Sequence, residues 1–588
     1  MKLSYILEMK EPQNGFFQVT MDVEGVSEDS VLVTMPSWTP GSYHILDFAR
    51  HVRLLRARSK DNEPIDIQRK DKSSWKILNG NYKNFIISYE VYAGELSVHT
   101  SHLDSTHGYL NGTSVFMYIE GYKDQSLELM VKPFGEWKIS TGLEKTGDNK
   151  YRATNYDILV DSPMEIGTHR SLTFSVDGKE HEIALYGRGN EDPDQLLQDT
   201  KKIVESYKAQ FGNLPYKRYV FIIHILDNQG GGLEHLNSTT IETDRYQFSP
   251  RKKYIEFLST VSHEYFHLWN VKRIRPTELM PFNYKEENYT TLLWVSEGIT
   301  SFYEWIHLYR TGIIKEDEYF KHLMEYIRFY EFLPGSKYES ASDSSFDSWT
   351  KLYRPSPNNI NSYVSYYLKG EILGFMIDAR IIEHTNGQKS LDDLFRLLFE
   401  KYNRDGKGFT EKDLLASLHE VSGLDFTPFF SKYVRGVEPI DFDNELKRIG
   451  FKIVRSYAKN EDDEVKEKAY LGIVCGVNNS KINVEGVIEN SPAQKAGIYP
   501  GDELIALNKF RFSERFLKNI RSDIKARKVD NLIEMKPGEK AIIHAFRSGI
   551  LMNFEVTLAK APYDNYEVIN DPESDENRMK FKEKLIKG

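Results

Sequence analysis

The spacing of apolar residues changes character near residue 190, and this change bounds the fold more tightly than any other feature of the chain. Before it, FFQVTMDV (Phe16–Val23), SVLVTMP (Ser30–Pro36) and NFIISYEVYA (Asn84–Ala93) are rich in β-branched and aromatic residues and are separated by turn clusters, which predicts strands. After it the period becomes helical. Asp192-Pro193 joins an N-cap residue to a proline suited to the first helical position, and the predicted helix runs to Phe211 and stops at Gly212. A strand, YVFIIHIL (Tyr219–Leu226), and a glycine-rich turn follow, and residues 290 to 445 are mostly helical, with LDDLFRLLFEKY and TEKDLLASLHEV as amphipathic pieces. A chain of 588 residues is too long for one core. The expected organisation is multidomain α+β: an antiparallel β domain over 1–170, a second domain with a helical extension over 171–445, a charged linker over 458–468, a compact unit over 469–560 and a charged tail over 561–588, whose final DPESDENRMKFKEKLIKG (571–588) reads as mobile. PSWTPGSYHILDFARH, inside the β domain, reads as a structured loop.

No run of about 18 apolar residues is present, so no membrane span is expected. MKLSYILEMKEPQNGFFQV lacks the apolar core and cleavage site of a secretory signal, and the single cysteine, Cys475, fits a reducing compartment; a cytoplasmic location is expected, with a disulfide-free periplasmic protein as the alternative. A net charge of -10 gives no reason to expect nucleic acid as a partner.

VSHEYFHLWNVKRIRP (Val261–Pro276) carries the chemistry. In a helix, four residues turn the chain by about 400° and advance it by about 6 Å. His263 and His267 therefore project from one face, where two imidazoles can meet at one zinc ion. Glu264 lies beside them, placed to take a proton from a metal-activated water. Catalytic zinc sites have three protein ligands and one open position. Glu297, in Trp-Val-Ser-Glu-Gly on a largely apolar helix, is the leading third ligand, because a metal offsets the cost of burying its carboxylate. Glu278, Glu286 and Glu287 are weaker alternatives in a polar connection. Glu304, seven residues after Glu297 on the same helical face, is placed to accept from the outer nitrogen of a ligand histidine.

HEYFH followed by WVSEGITSFYE resembles the gluzincin metallopeptidases, and more narrowly the aminopeptidase N superfamily. There a Gly-rich motif ending in Glu precedes the zinc helix. Here GGGLEH (Gly230–His235) stands 29 positions before His263, counted from Glu234. The resemblance implies that Gly231 and Gly232 belong to an edge strand lining the cleft, and that Glu234 binds the substrate's free α-amine; the usual following Asn is His235 here. The superfamily's Tyr-x-Lys-Gly motif matches Tyr367–Gly370, which implies Tyr367 as oxyanion donor, with Tyr366 and Tyr363 as neighbouring alternatives. PSWTPGSYHILDFAR and HLWNVKRIRP resemble the glycyl aminopeptidase family, which joins a β domain, a thermolysin-like catalytic domain and a C-terminal PDZ domain. YLGI (Tyr470, Leu471, Gly472, Ile473) resembles a PDZ carboxylate-binding loop, and GVIENSPAQKAGIYPGDELIALN resembles a bacterial PDZ core. The resemblance implies a zinc aminopeptidase, with one zinc per chain, acting on peptides with a free N-terminus and a small first residue, Gly or Ala. Peptide C-termini at the PDZ domain are a further implied partner. An endopeptidase drawing in substrates through the PDZ domain, and a non-catalytic PDZ scaffold, are the alternatives.

Three other stretches are set aside. HTSHLDSTH (His99–His107) holds three histidines and Asp104 without spacing that supports a second metal; it reads as a loop beside the cleft, where Asp104 is a further contact for the substrate amine. NRDGKGFTEKDL (Asn403–Leu414) fails as a calcium loop, with Lys407 at a ligand position and Leu414 at the closing one. Arg273 and Arg275 fit a substrate carboxylate or acidic neighbours equally well and are not counted in the site.

Overall fold

A computed structural model describes residues 1–403, 407–459, 466–479, 481–520, 527–530, 532, 535–574 and 576–587. It comprises two compact units: Met1–Tyr289 with Tyr303–Ile313 and Phe399–Phe409, and Thr290–Phe302 with Ile314–Leu398 and Thr410–Gly588.

The first unit opens with an eight-stranded sheet. Its strands Lys2–Glu8, Phe16–Glu24 and Asn84–Tyr92 alternate buried and less buried residues. One face therefore carries Leu3, Tyr5, Val19, Met21, Ile87 and Tyr89 into the core. The sheet is not purely antiparallel as expected. Lys2–Glu8 pairs in parallel with Leu127–Lys132, which the long excursion between them permits. A second sheet of five strands runs in the order Arg170–Val176, Lys179–Gly187, Arg218–Leu226, Ser238–Asp244, Gly231–Glu234. Arg218–Leu226 is parallel to both Lys179–Gly187 and Ser238–Asp244, and the helix Pro193–Phe211 joins it to the first of these. Asp192 caps that helix by accepting from the N–H groups of Asp194 and Gln195, and Gly212 closes it with φ 81°. Gly231–Glu234 lies at the sheet edge, antiparallel to Ser238–Asp244.

In the second unit a π-turn, Trp294–Gly298, leads without a break into the helix Ile299–Arg310, whose later residues belong to the first unit. The helix Tyr366–His384 meets the π-turn at two glycines. A Cβ on Gly298 would lie 2.4 Å from Gly370 Cα, and one on Gly370 would lie 2.6 Å from the Trp294 carbonyl oxygen. The C-terminal part is a sheet around Leu471, Ile473, Val484, Leu504 and Ile543, with a short helix Pro492–Ala496.

The tail differs from expectation. Asn565–Asn570 pairs antiparallel with Phe451–Ser456. The helix Glu576–Lys587 buries Phe581 and Leu585. The four-residue spacing of these two gives an otherwise charged segment an apolar stripe, and Lys582 pairs with Glu316 at 2.5 Å. Of the charged linker, residues 460–465 lie outside the described residues, as do 404–406 of the calcium-like stretch. Among the described residues no helix is long and apolar enough to cross a membrane.

Candidate active site

The motif helix spans Arg251–Phe266, and His267 is its C-cap. The rings of His263 and His267 lie 4.7 Å apart between centroids and nearly perpendicular, at 80°. Each ring is held by Nδ1. His263 Nδ1 lies 2.6 Å from Glu304 Oε2, and His267 Nδ1 lies 2.8 Å from the Asn270 carbonyl oxygen. With Nδ1–H donating to these oxygens, Nε2 carries the lone pair in both rings, which is the tautomer a metal requires.

Glu297 is 2% exposed, on the π-turn of the continuous segment that also carries Glu304. Two overlapping groups of buried side chains offer ligand atoms within 4.8 Å of one another: His263, His267 and Glu297, and Glu234, Glu264 and His267. Buried carboxylates this close to one another and to neutral imidazoles demand a cation. Two Nε2 lone pairs and a carboxylate suit zinc. Glu278, Glu286 and Glu287 appear in neither group.

The edge strand explains the glycines. A Cβ on Gly232 would fall 2.1 Å from Glu264 Oε1, so any other residue there would force that carboxylate to move. Gly231 has φ 138°, open to glycine and strained for other residues. Behind the strand, Gly41 of the PSWTPGSYH loop presses on Glu234: its Cβ would meet the two carboxylate oxygens at 2.7 and 2.8 Å. Sequence reading missed this contact, although a Pro-Gly pair inside a conspicuous loop is a signal of close backbone approach. Glu234 is 4% exposed, and among the described residues its carboxylate has neither an ion pair nor a hydrogen bond. His235, where the superfamily has Asn, turns to Asp161: its Nδ1 lies 3.1 Å from Oδ1, and Lys272 Nζ lies 2.7 Å from the same oxygen. Burial opposes the ionisation of Asp161, but Lys272 and His235 outweigh it and hold its pKa at about 2.

In the second unit Ser365 caps the helix that begins at Tyr366 by accepting from Tyr367 N–H. Tyr363 and Tyr366 are buried; Tyr367 is half-buried, its ring stacked on Tyr366 at 4.8 Å. Lys369 is buried, with Nζ 3.3 Å from the Gly436 carbonyl oxygen, and burial pushes its pKa down to about 8. Leu368–Gly370 therefore serves packing, and the Gly298–Gly370 contact fixes Tyr367 relative to Glu297.

The C-terminal loop holds a surprise for the expected capture of peptide C-termini. The N–H groups of Leu471, Gly472 and Ile473 converge on one carboxylate, that of Asp530, at 2.6, 2.8 and 2.8 Å. Tyr470 precedes them in a short strand, Ala469–Tyr470. Burial pushes the Asp530 carboxyl up from its usual range, against the pull of these three bonds. Two further expectations change. His102 and His107 lie on a hairpin, His102–Leu103 with His107–Leu110, and not in a plain loop; Asp104 is engaged with His102, Thr106 and His107 within it. Arg273 donates to the carbonyl oxygens of Pro215, Leu236 and Leu268 and to Asn237 Oδ1, and Arg275 to the carbonyl oxygens of Val271 and Lys272, so these hydrogen bonds go to neutral oxygens rather than to acidic neighbours.

Residues 4–168 match the Peptidase M61 N-terminal domain and residues 256–373 match the M61 glycyl aminopeptidase domain. The crystal structure of an aminopeptidase N family protein from Idiomarina loihiensis is 28% identical over 98% of this chain and 99% of that one, with a TM-score of 0.90. An M1 zinc metallopeptidase from Deinococcus radiodurans is more distant, at 12% identity over 75% of this chain and 94% of that one, with a TM-score of 0.46. No curated protein sequence matches significantly. With both M61 domain models matching in order, and a histidine pair whose tautomers suit a metal, the chain is similar to the M61 peptidases and is a zinc metallopeptidase.

Proposed function

We propose that the chain is an aminopeptidase that removes a small first residue, Gly or Ala, from peptides, with one zinc held by His263, His267 and Glu297. One observation carries the exopeptidase reading. Glu234 is a buried carboxylate without a partner among the described residues, and it shares a 4.8 Å group with Glu264 and His267. A substrate α-ammonium supplies the missing charge and sets the first peptide bond beside Glu264. Zinc held by His263, His267 and Glu297 would supply Lewis acidity at this site. Glu264 accepts a proton from the attacking water and passes it to the leaving amine. Tyr367 donates its phenol O–H to the carbonyl oxygen as charge develops there. Glu304 and the Asn270 carbonyl keep both imidazoles in the metal-binding tautomer. The preference for Gly or Ala comes from the family likeness.

Residues 469–560 are proposed as a PDZ-type unit, supported by the converging N–H groups of Leu471, Gly472 and Ile473 at the start of the strand Ile473–Asn478. Their occupation by Asp530 speaks against an endopeptidase that draws in substrates by their C-termini.

The test is a panel of aminoacyl reporter substrates and matched N-acetylated peptides, run with wild type and Glu234→Ala. Hydrolysis of free-amine substrates only, greatest for Gly and Ala and reduced in the variant, is expected. Equal cleavage of free and acetylated peptides sinks the exopeptidase reading.

A further inference from the structure

A second cluster of metal-binding side chains lies outside the motif helix. One ligand atom each from His102, Asp104 and His107 falls within 4.8 Å of the others. Asp104 divides its work. Oδ1 accepts from the N–H groups of Thr106 and His107, at 2.7 and 3.1 Å, and from the Thr106 hydroxyl at 2.6 Å, which holds the hairpin turn. Oδ2 lies 3.2 Å from His102 Nε2. His107 is 0% exposed, its ring stacked on Tyr186 at 3.4 Å. Its Nδ1 lies 2.9 Å from one oxygen of Glu165, whose other oxygen lies 2.9 Å from His224 Nε2.

Glu165 is fully buried, as are both of these rings. As a carboxylate it only accepts, so each inner nitrogen donates. The outer nitrogens, His107 Nε2 and His224 Nδ1, have no hydrogen-bond partner among the described residues. Glu165 thus keeps both inner nitrogens as donors, and the outer nitrogen of His107 is left with a buried lone pair that no donor meets. A cation on that nitrogen would complete it, with Glu165 as the carboxylate that orients a metal-bound imidazole. We propose that His102, Asp104 and His107 form a second metal site, for a divalent transition-metal ion of the zinc class, which staples the hairpin to Glu165. Two imidazoles and one carboxylate favour zinc or cobalt(II) over magnesium or calcium.

Metal-stripped full-length protein, titrated with zinc, is expected to bind two equivalents. His102→Ala removes one and leaves peptidase activity intact. Asp104→Asn, whose side-chain oxygen still holds the turn, weakens the same equivalent at least about tenfold. One equivalent in wild type, or a second that survives both changes, overturns the proposal. His263→Ala reports the motif site separately, so failure there is distinguishable from failure here.

An independent observation supports a second inference. Arg527–Asp530 pairs antiparallel with Ile473–Asn478, Val529 opposite Val474 and Lys528 opposite Cys475. Peptides that join a sheet edge and place a terminal carboxylate in a backbone nest bind in this way. The geometry points to Arg527–Asp530 as an internal ligand, with the Asp530 side chain standing in for a peptide's C-terminal carboxylate. The test probe is a peptide copying Arg527–Val529, extended by one residue with a free α-carboxylate, compared with its C-terminal amide. Wild type is expected to bind neither. Asp530→Ala, or Asp530→Asn if the first does not fold, is expected to bind the acid at least tenfold more tightly than the amide. Equal binding by wild type, or no binding by a folded variant, overturns the inference.

Discussion

Glu234 and Asp530 are both carboxylates almost removed from water, yet their surroundings are opposite. Asp530 receives three backbone N–H groups. Glu234 receives none among the described residues, and a glycine backbone presses on its oxygens. A buried acceptor that is satisfied belongs to the fold; one left unsatisfied costs stability and is kept for what it will bind. On the proposed reading, the difference separates a place prepared for a cation from a place prepared for an anion that the chain already fills.

The sharpest way to break this contrast is at the group beside Glu234. Glu264→Gln should lower kcat by about 10³-fold for every substrate while zinc content, measured by atomic absorption, stays at the wild-type value. Unchanged turnover would remove the site from the chemistry. Next is Asp530→Ala, which leaves three inward N–H groups without an acceptor and should cost about 3 kcal/mol in denaturant unfolding. Glu234→Gln should act with the opposite sign on stability. In metal-stripped protein it should gain about 1 kcal/mol, while kcat/KM falls about 10²-fold for free-amine substrates alone. If both acidic residues prove equally stabilising, the contrast fails. The smallest effect is expected from Glu304→Gln: zinc affinity weakened about tenfold in a chelator competition, because the His263 ring loses its carboxylate partner.

Much of this was legible in local spacing. The helix from Asp192 to Gly212 follows from its cap, proline and closing glycine, and the pairing of Glu304 with His263 begins as a seven-residue interval on one face. What could not be read from spacing depends on distant backbone. Gly232 lies against Glu264, and Gly41 against Glu234, through contacts between segments far apart in sequence. Asp530 lies about 60 residues from the loop it fills, and nothing near it in sequence marks it as a ligand. The tail misled because its charge outweighs its two buried apolar residues in composition, whereas packing needs only the stripe.

The internal strand also sets a threshold for any outside partner. A tethered segment presents itself at an effective concentration of roughly millimolar. A free peptide at micromolar concentration must therefore bind about a thousandfold better than Arg527–Asp530 to displace it. Whatever controls the position of that strand controls access to the loop, and a modest local loosening would do more than a large rise in partner concentration.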